Sequence, residues 1–403
     1  MNLATLTYSY LRARALNTAL QVVLLALGIA TITLLLLATT QLDQRMRREA
    51  QGIDLVVGAK GSPLQIILSA IYHLDVPTGN ISYRQAKEIA THRAVKKTMP
   101  LALGDSYRGF RIAGTTHDYV AHYEGRLAAG RLWQKPLEAV LGAEVAARSG
   151  HAIGAKFAGA HGLGDGGDAH EDADYVVTGV LAPSGTVLDR LVLTSVESVW
   201  AVHAGHQGIH DIANAADHMP DEQKEYTALL IQYASPLGAA ILPRYINNNS
   251  DMQAASPAFE TARLFSIIGV GVDVLRGFAL VLVFSAGLSV FIALYGALNE
   301  RRYDLAIMRT LGASPGKLMA LLLAEGVMLA GAGGVLGLVL GHGFAELAGV
   351  ALKSARQIEI TGLVWLPEEL LLLAAALAVG AVAALLPAWR AYRTDIAGTL
   401  ARG

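Results

Sequence analysis

Residues 18–40 read TALQVVLLALGIATITLLLLATT, and this run decides what kind of fold the chain adopts. Gln21 is its only strongly polar member. Because about 20 apolar residues in helical form cross the hydrocarbon core of a bilayer, the run predicts a transmembrane helix. Arg12 and Arg14 precede it, as in a signal peptide, but the run is too long for a signal core and no clear cleavage site follows. We therefore interpret it as an uncleaved anchor.

Three further runs of this kind follow, at residues 279–298, 318–340 and 370–389. The whole chain of 403 residues is 53% hydrophobic and only 16% charged, whereas a soluble domain has about 25% charged residues. A net charge of −1 gives no indication of a nucleic-acid partner. The chain has no cysteine, which excludes disulfides and cysteine-based metal or redox sites.

Basic residues near the helix ends predict the orientation of the four helices. The loop between the second and third runs carries four of them, whereas the link between the third and fourth runs has only Lys353 and Arg356. The loop residues are Arg301, Arg302, Arg309 and Lys317, and the C-terminal tail adds Arg390, Arg393 and Arg402. We expect the loop and both termini to face the cytoplasm, although Arg45, Arg47 and Arg48 follow the first run on the outside.

The uneven spacing of the runs predicts three parts. Residues 1–40 form the cytoplasmic N-terminus and first helix, residues 41–270 an extracytoplasmic domain, and residues 271–403 the remaining three helices. In the middle part, residues 95–116, 173–183 and 189–200 have the β-branched composition of strands. Residues 83–93 and 137–150 have helical spacing, the latter stopped by Gly150. The predicted fold class is an α-helical membrane protein with four transmembrane helices and a large α+β domain inserted between helices 1 and 2.

Residues 299–317, NERRYDLAIMRTLGASPGK, separate the second and third runs. The ending resembles a phosphate-binding loop, but such a loop needs Gly-x-x-x-x-Gly-Lys-Ser/Thr after a buried strand. Here Gly312, Gly316 and Lys317 have one residue fewer between the glycines, and Leu318 replaces the hydroxyl residue. The pattern favours a helix–turn–helix in which Ser314 caps the third helix and Pro315 begins it.

The first part of this stretch is amphipathic, with Leu305, Met308 and Leu311 at i, i+3 and i+6. Charged residues, among them Arg301, Asp304 and Arg309, surround the apolar positions. The spacing fits a short helix in the headgroup layer. It fits equally well a docking helix for a cytoplasmic partner, with apolar anchors rimmed by charge.

The stretch resembles the cytoplasmic loop of FtsX/MacB-type ABC transporter permeases, whose pattern is ERR.EIAILRALGAS followed by an acidic residue. The matching positions are Glu300, Arg301, Arg302, Leu305, Ala306, Met308, Arg309, Leu311, Gly312, Ala313, Ser314 and Glu325. The tail resembles the family ending through Pro387, Ala388, Arg390, Ala391 and Asp395, although Ile396 replaces the usual proline. Residues 140–157 and 176–186 resemble the MacB-type periplasmic core domain.

The resemblance implies a permease subunit of a type VII, mechanotransmission system. Such a subunit works as a dimer, here a homodimer, on two separate cytoplasmic ATPase subunits that hold ATP and Mg²⁺, and it has no catalytic site or cofactor of its own. Residues 299–316 contain the coupling helix, with Arg301, Arg302, Leu305, Met308, Arg309, Leu311 and Gly312 as the contact residues. Membrane lipid and a periplasmic adaptor or lipoprotein are further expected partners.

Within the spans, Gly333, Gly337 and Gly341 lie on one helical face, where small residues allow close helix contact. Packing among the four spans and a dimer interface remain equal alternatives. Asp273 and Arg276 have the spacing of a helical ion pair with a structural role. Glu325 either reaches the cytoplasmic interface or pairs with Arg309.

The external domain holds eleven of the twelve histidines. Imidazole and carboxylate ligands suit Zn²⁺. One hypothesis is therefore a metal site formed by His161, His170, His203, His206 and His210. Solvated acidic loops with surface histidines are the simpler interpretation. No His-Glu-x-x-His motif occurs, so metal catalysis is not predicted.

Residues 55–80 are unusually apolar. Either they form a strand, a turn and a buried helix of the external domain, or they offer a surface for lipid or lipidated cargo.

Three functions fit a permease of this kind: MacB-like efflux, LolC/LolE-like handling of lipoproteins, or FtsX-like control of a cell-wall hydrolase. The size of the external domain favours the first two, and a link to metal homeostasis is a further hypothesis. The alternative from another class is a membrane-anchored divalent-metal sensor or metalloprotein that works without ATP.

Overall fold

The computed structural model describes residues 3–162, 169–205, 219–356 and 360–393. The chain divides into two compact units, Asp43–Ile267 (the external unit) and Met1–Leu42 with Ile268–Gly403 (the membrane unit). Both boundaries between the units fall inside long helices rather than in loops.

The helices and strands follow one another along the chain. The first half contains α1 (Leu3–Ala13), α2 (Ala15–Ala50), β1 (Leu55–Ala59), α3 (Pro63–Ala70), β2 (Ile81–Ser82), α4 (Tyr83–Ala90), β3 (Val95–Tyr107), β4 (Phe110–Thr115), α5 (His117–His122), β5 (Leu127–Gly130), β6 (Glu138–Leu141), α6 (Ala143–Ser149), β7 (Lys156–His161) and β8 (Ala169–Leu181). The second half contains a 3-10 turn (Val187–Arg190), β9 (Leu191–Ser195), α7 (Val196–Gly205), β10 (Glu225–Tyr226), β11 (Ala228–Tyr233), α8 (Gly238–Asn249), β12 (Met252–Ala255), α9 (Pro257–Glu300), α10 (Arg302–Thr310), α11 (Pro315–Arg356) and α12 (Glu368–Tyr392).

In the described part of the chain, four helices are long and apolar enough to cross a membrane, and each contains one of the predicted runs. These are α2, α9, α11 and α12. The first three extend well beyond their apolar runs, since the charged residues that end a run do not end a helix. The N-terminal helix α1 was not predicted, because its apolar residues are too few for a span.

The external unit is built on a ten-stranded sheet in the order β12-β1-β11-β3-β4-β9-β6-β8-β5, with β7 pairing to β3 and β8. Most pairs are antiparallel, but β4–β9 and β6–β8 are parallel. The predicted strands at 95–116 form the β3–β4 hairpin. Its turn residues Arg108 and Gly109 have φ of 49° and 78°, as a two-residue type I′ turn requires.

The two larger buried clusters among the described residues form most of the core of the external unit. One lies around β1, β11 and α8 and includes Leu55, Leu229, Ile231 and Leu242. The other lies around β4, β6 and β9 and includes Phe110, Leu141, Phe157, Tyr175 and Val192. The mixed sheet with helices on it is the predicted α+β domain.

Two of the predicted elements change type partway. In residues 137–150 we expected one helix, but residues 138–141 form β6 and only Ala143–Ser149 are helical. In residues 189–200 we expected one strand, but the strand ends at Ser195 and α7 begins at Val196. Pairing of β6 with β8 and β9 outweighs local helical spacing. Gly150 ends α6 in the left-handed conformation, as predicted, with φ of 70°.

The apolar segment 55–80 is a strand, a turn and a buried helix. Ser62 caps α3, and Pro63 occupies its first turn. Ile66, Ile67 and Ala70 of α3 are buried, and so are Ile71 and Tyr72 after it. Most of the apolar character of this segment is therefore accounted for by the interior of the external unit.

Candidate coupling surface and its internal connections

The short helix α10 connects α9 to α11 and has two apolar faces. Its inner face carries Leu305 and Ala306, which are buried. Leu305 packs with Leu318 and Leu322 of α11 and with Ala388 and Ala391 of α12, and Met308 lies partly buried against this cluster. The inner face therefore fixes α10 to the ends of two candidate spans.

The outer face of α10 consists of Tyr303 and Ile307 and continues to Leu311, the C-cap residue, at i, i+4 and i+8. Their exposed fractions are 51%, 36% and 82%. Arg302 and Asp304 are exposed beside them. We call Tyr303, Ile307 and Leu311 the docking face.

The docking face differs from the predicted set of contact residues. Leu311, Arg302 and Gly312 are exposed, as a contact surface requires. Leu305 is instead buried against α11 and α12, so it offers no exposed surface to a partner, while half-buried Met308 remains a predicted contact residue. Both faces of α10 are apolar, and the spacing alone does not distinguish the one that α11 and α12 cover. Arg309 is partly buried.

Arg301 forms internal contacts and is not a rim residue. Its Nη1 lies 3.1 Å from Oε1 of Glu325 on α11, and both side chains are largely buried. Its guanidinium also lies over the ring of Tyr10, 3.9 Å from the centroid. Glu325 therefore pairs with Arg301 and not with Arg309, which was one of its two expected arrangements. Arg14, which lies between α1 and α2, forms an ion pair next to this site with Glu300 at the end of α9.

The turn after α10 has the predicted helix–turn–helix form. Gly312 has φ of 94°, which a residue with a side chain rarely adopts. The backbone N–H of Lys317 donates to Oγ of Ser314 at 3.3 Å, and α11 begins at Pro315. A helix, not a strand, precedes this turn, which excludes the strand-to-loop context of a Walker phosphate site.

The three glycines of α11 face α2. A Cβ added at Gly333 would lie 3.0 Å from Leu25, and one at Gly337 would lie 2.6 Å from Ile29. At Gly341 it would lie 2.6 Å from Thr33. This contact gives the glycines the first of their two predicted roles, packing between spans, while a part in a dimer remains a prediction.

Asp273 and Arg276 form the expected pair at 3.3 Å, with both side chains exposed.

In the external unit, the end of α2 is held by a buried carboxylate. Glu49 is 2% exposed. Nη2 of Arg190 donates to both of its oxygens, at 2.9 and 3.0 Å, and Nε of Arg45 donates at 3.1 Å. Burial lowers the pKa of Arg190, whereas the charge of Glu49 acts to raise it. One carboxylate thus joins the helix to the residue that precedes β9.

Tyr72 links the Glu49–Arg190 site to the two helices α2 and α9. Its hydroxyl donates to the backbone oxygen of Met46 on α2 at 3.3 Å and lies 2.8 Å from Oγ1 of Thr261 on α9. Its carbonyl oxygen accepts from Arg190 at 3.1 Å. Beside it, His73 is buried against the hydroxyl of Tyr119, and burial together with Arg111 and Arg190 holds the pKa of His73 well below its usual value. We call Glu49, Arg190 and Tyr72 the junction; no sequence pattern had indicated it.

A groove of about 950 Å³ lies between the end of α2 and the start of α9 within the external unit. Met46, Ile53 and Phe265 supply apolar lining. Arg47, Arg48 and Asp43 supply charge, and Arg47 is paired with Asp43 at 2.8 Å. The groove combines an apolar surface with a paired arginine and, among the described residues, an unpaired one.

The predicted metal site is outside what the structure describes, except for one residue. The side chains of His161 and His170 and all of His206 and His210 lie outside the described residues. The ring Nδ1 of His203 lies 2.8 Å from the carbonyl oxygen of Val199. Within the described ranges, no group of three or more potential ligands is close enough to hold a metal ion. Metal binding by this segment remains a prediction.

Comparison with known proteins gives two family matches. Residues 18–237 match the model of the MacB-like periplasmic core domain, and residues 276–396 match that of the FtsX-like permease C-terminal domain. The first match alone spans more than half of the chain. No curated protein matches the chain.

Two solved structures are similar to the external part. The periplasmic region of MacB from Actinobacillus actinomycetemcomitans is 9% identical, with a TM-score of 0.33, over 53% of this chain and 95% of that chain. The extracellular domain of the noncanonic ABC-type transporter YknZ from Gram-positive bacteria is 12% identical, with a TM-score of 0.29, over 51% of this chain and 99% of that chain.

Proposed function

The chain belongs to the family of MacB-like and FtsX-like ABC transporter permeases, and we propose that it transmits force from a separate ATPase to its external unit. In this role the chain is not itself catalytic. Its four candidate membrane helices and its family make it a multi-pass membrane protein with an extracytoplasmic domain.

The docking face carries the proposal. Tyr303, Ile307 and Leu311 are exposed on a helix whose other face is packed against two candidate spans. A helix of this kind inserts its apolar residues into a groove of a partner. The partner we propose is a dimer of cytoplasmic ATP-binding subunits, which would hold the ATP and Mg²⁺.

The contacts of α10 offer a path for movement. Leu305 and the Arg301–Glu325 pair connect α10 to α11. The glycine face of α11 packs on α2, and α2 continues without a break to Ala50. Close packing transmits displacement because a packed interface does not deform continuously. In the external unit, the junction fixes the end of α2 by Glu49.

The same family membership supports a location. We propose a bacterial inner membrane with both termini and α10 in the cytoplasm and the external unit in the periplasm. The basic residues of the 299–317 loop and the C-terminal tail support this orientation. A second copy of the chain completes the proposed transporter as a homodimer.

The groove between α2 and α9 supports a substrate with a lipid part. Met46, Ile53 and Phe265 suit an acyl chain, and Arg48 suits an anionic head group, whereas Arg47 is already paired with Asp43. Extraction of a lipid-linked substrate from the membrane therefore has more support than export of a small polar solute. An adaptor protein and a role in metal homeostasis remain predictions.

The ATPase partner is tested by co-purification. The full chain is co-expressed with each ABC-type ATP-binding subunit of its own genome, and ATPase activity is measured in nanodiscs. Ile307→Asp with Leu311→Asp places two charges on the docking face, so we expect loss of co-purification and of the stimulated activity.

Leu237→Asp is the matched control. Leu237 is 69% exposed and lies in the external unit, so this variant should retain both properties. Retention of partner and activity by the double variant would disprove docking through α10.

A further inference from the structure

Residues 360–367, the described part of the connection between α11 and α12 and here called the link, are tied to the ends of three helices. Oε2 of Glu346 on α11 accepts from the hydroxyl of Thr361 and from the backbone N–H of Gly362, both at 2.8 Å. Gln41 on α2 exchanges two hydrogen bonds with the backbone of Thr361, at 2.7 and 3.0 Å. The described part of the link is therefore held at several points.

A buried histidine provides a further attachment. Nδ1 of His342 on α11 lies 2.5 Å from the carbonyl oxygen of Gly362, and its Nε2 lies 2.9 Å from Oε2 of Glu369 on α12. The other oxygen of Glu369 accepts from the backbone N–H of Leu366 at 2.9 Å. Glu369 is 2% exposed and His342 is 9% exposed. Water has little access to either group.

Both ring nitrogens of His342 thus face oxygen atoms. A neutral imidazole has one N–H and one lone pair. The carbonyl of Gly362 can only accept, so the Nδ1 contact uses the single proton of the neutral ring. The Nε2 contact then needs another proton, either on the ring, as imidazolium with a carboxylate, or on Glu369, as a carboxylic acid. Both arrangements hold the same number of protons.

We propose that His342 and Glu369 form a proton-binding site that closes the link between α11 and α12. With the proton bound, both contacts of the ring form hydrogen bonds. Without it, a nitrogen lone pair faces a carboxylate in a buried place, and an unpaired buried polar group costs about 1–3 kcal/mol.

The number of bound protons sets the pH dependence of the link. The charged side chains that contact the described link are Glu369 and Glu346. Gln41, which α2 contributes, is neutral. The closed link holds one proton more than an open link with neutral histidine and ionised Glu369. Closure is therefore complete at low pH and is lost as the pH rises.

Opening of the link would change the surroundings of three apolar residues, Leu363, Val364 and Trp365. The ring of Trp365 lies 4.2 Å from that of His342, centroid to centroid. Leu363 is 80% exposed and Trp365 is 67% exposed, and Val364 lies between them. Tryptophan favours the interface between membrane and water. The proton thus controls whether these residues are held against α11.

Hydrogen exchange of the full chain in nanodiscs tests the site. Backbone protection at Gly362 and Leu366 is followed from about pH 5 to about pH 9, after correction for intrinsic exchange; this range covers the titration of histidine. We expect protection to fall at least about tenfold across it, a change of about 1.4 kcal/mol. Protection at Gly337, in the middle of α11, should stay constant. Constant protection at Gly362 and Leu366 would overturn the proposal without any variant.

Glu369→Gln is the matched variant. A glutamine amide donates to the neutral ring at Nε2, and its oxygen still accepts from Leu366, so the link closes without the extra proton. We expect its protection to be high and independent of pH. His342→Ala removes the ring and should leave low protection at every pH. A pH dependence in Glu369→Gln equal to that of the native chain would also overturn the proposal.

Discussion

The helix α11 is joined to its neighbours by two links that differ in where they place their polar groups. At one end, α10 turns Leu305 inward and leaves Tyr303, Ile307 and Leu311 exposed. At the other end, the described residues 360–367 are bound through Gln41, His342 and Glu346 to α2 and α11. One link presents a surface, and the other is a set of internal hydrogen bonds. An exposed apolar surface is available to a partner, whereas internal hydrogen bonds fix the helices relative to one another.

The largest loss of stability is expected at the buried Arg301–Glu325 pair, which joins the α10 link to α11. Glu325→Ala leaves Arg301 buried without its carboxylate, and breaking a buried pair costs about 3 kcal/mol. Unfolding in mixed micelles measures the loss. Glu300→Ala is the control, because Glu300 is an exposed partner of Arg14, and it should cost less than about 1 kcal/mol. Equal losses in both variants would show that burial does not distinguish the two pairs.

The next largest loss of stability is expected in the middle of α11, where Gly337 packs against α2. Gly337→Ala places a methyl group against Ile29 and should cost about 2 kcal/mol by overpacking. A Cβ at Gly343 would meet nothing within 4 Å, so Gly343→Ala should stabilise the helix by up to about 1 kcal/mol. The same unfolding assay compares them. A Gly337→Ala variant as stable as the native chain would show that α2 and α11 adjust without cost.

A smaller effect is expected at the second link. Glu346→Ala removes the acceptor for Thr361 and Gly362 and should destabilise the chain, since hydrogen bonds to charged groups are stronger than those between neutral groups. Exposed Glu368 is the control, and Glu368→Ala should be close to neutral. If Glu346→Ala were also neutral, the link would be held mainly by His342 and Gln41.

The smallest effect on stability is expected at the docking face. Leu311→Ser changes an exposed residue and should alter the free energy of unfolding by no more than about 0.5 kcal/mol. A loss well above this value would show that Leu311 packs within the chain and is not available to a partner. With an ATPase present, the same substitution should weaken binding.

The sequence predicts the four spans because an apolar run of 20 residues has few other uses. It predicts the β3–β4 hairpin, the end of α6 at Gly150 and the Asp273–Arg276 pair because these depend on neighbouring residues. It does not predict how far α2 and α9 continue, because a helix packed in a folded unit needs no apolar run. The strand β6 was missed because its pairing partners lie far away in the chain.

Burial explains the errors at the candidate site. Leu305 and Leu311 are alike in sequence, and only the position of α11 and α12 separates the buried one from the exposed one. The spacing of Tyr303, Ile307 and Leu311 is visible in the sequence, but it is one of two apolar faces. Glu325 was recognised, but its partner was not, since Arg301 and Arg309 are both within reach. His342 and Glu369 stand 27 positions apart, with no motif to connect them.

The hydroxyl group of Tyr72 has a consequence for how α2 and α9 move near the external unit. One oxygen atom contacts the main chain of α2 at Met46 and the side chain of α9 at Thr261. Any motion that separates the two helices there must first break a contact of this oxygen. Until a force breaks one of these contacts, Tyr72 would hold α2 and α9 together at this point.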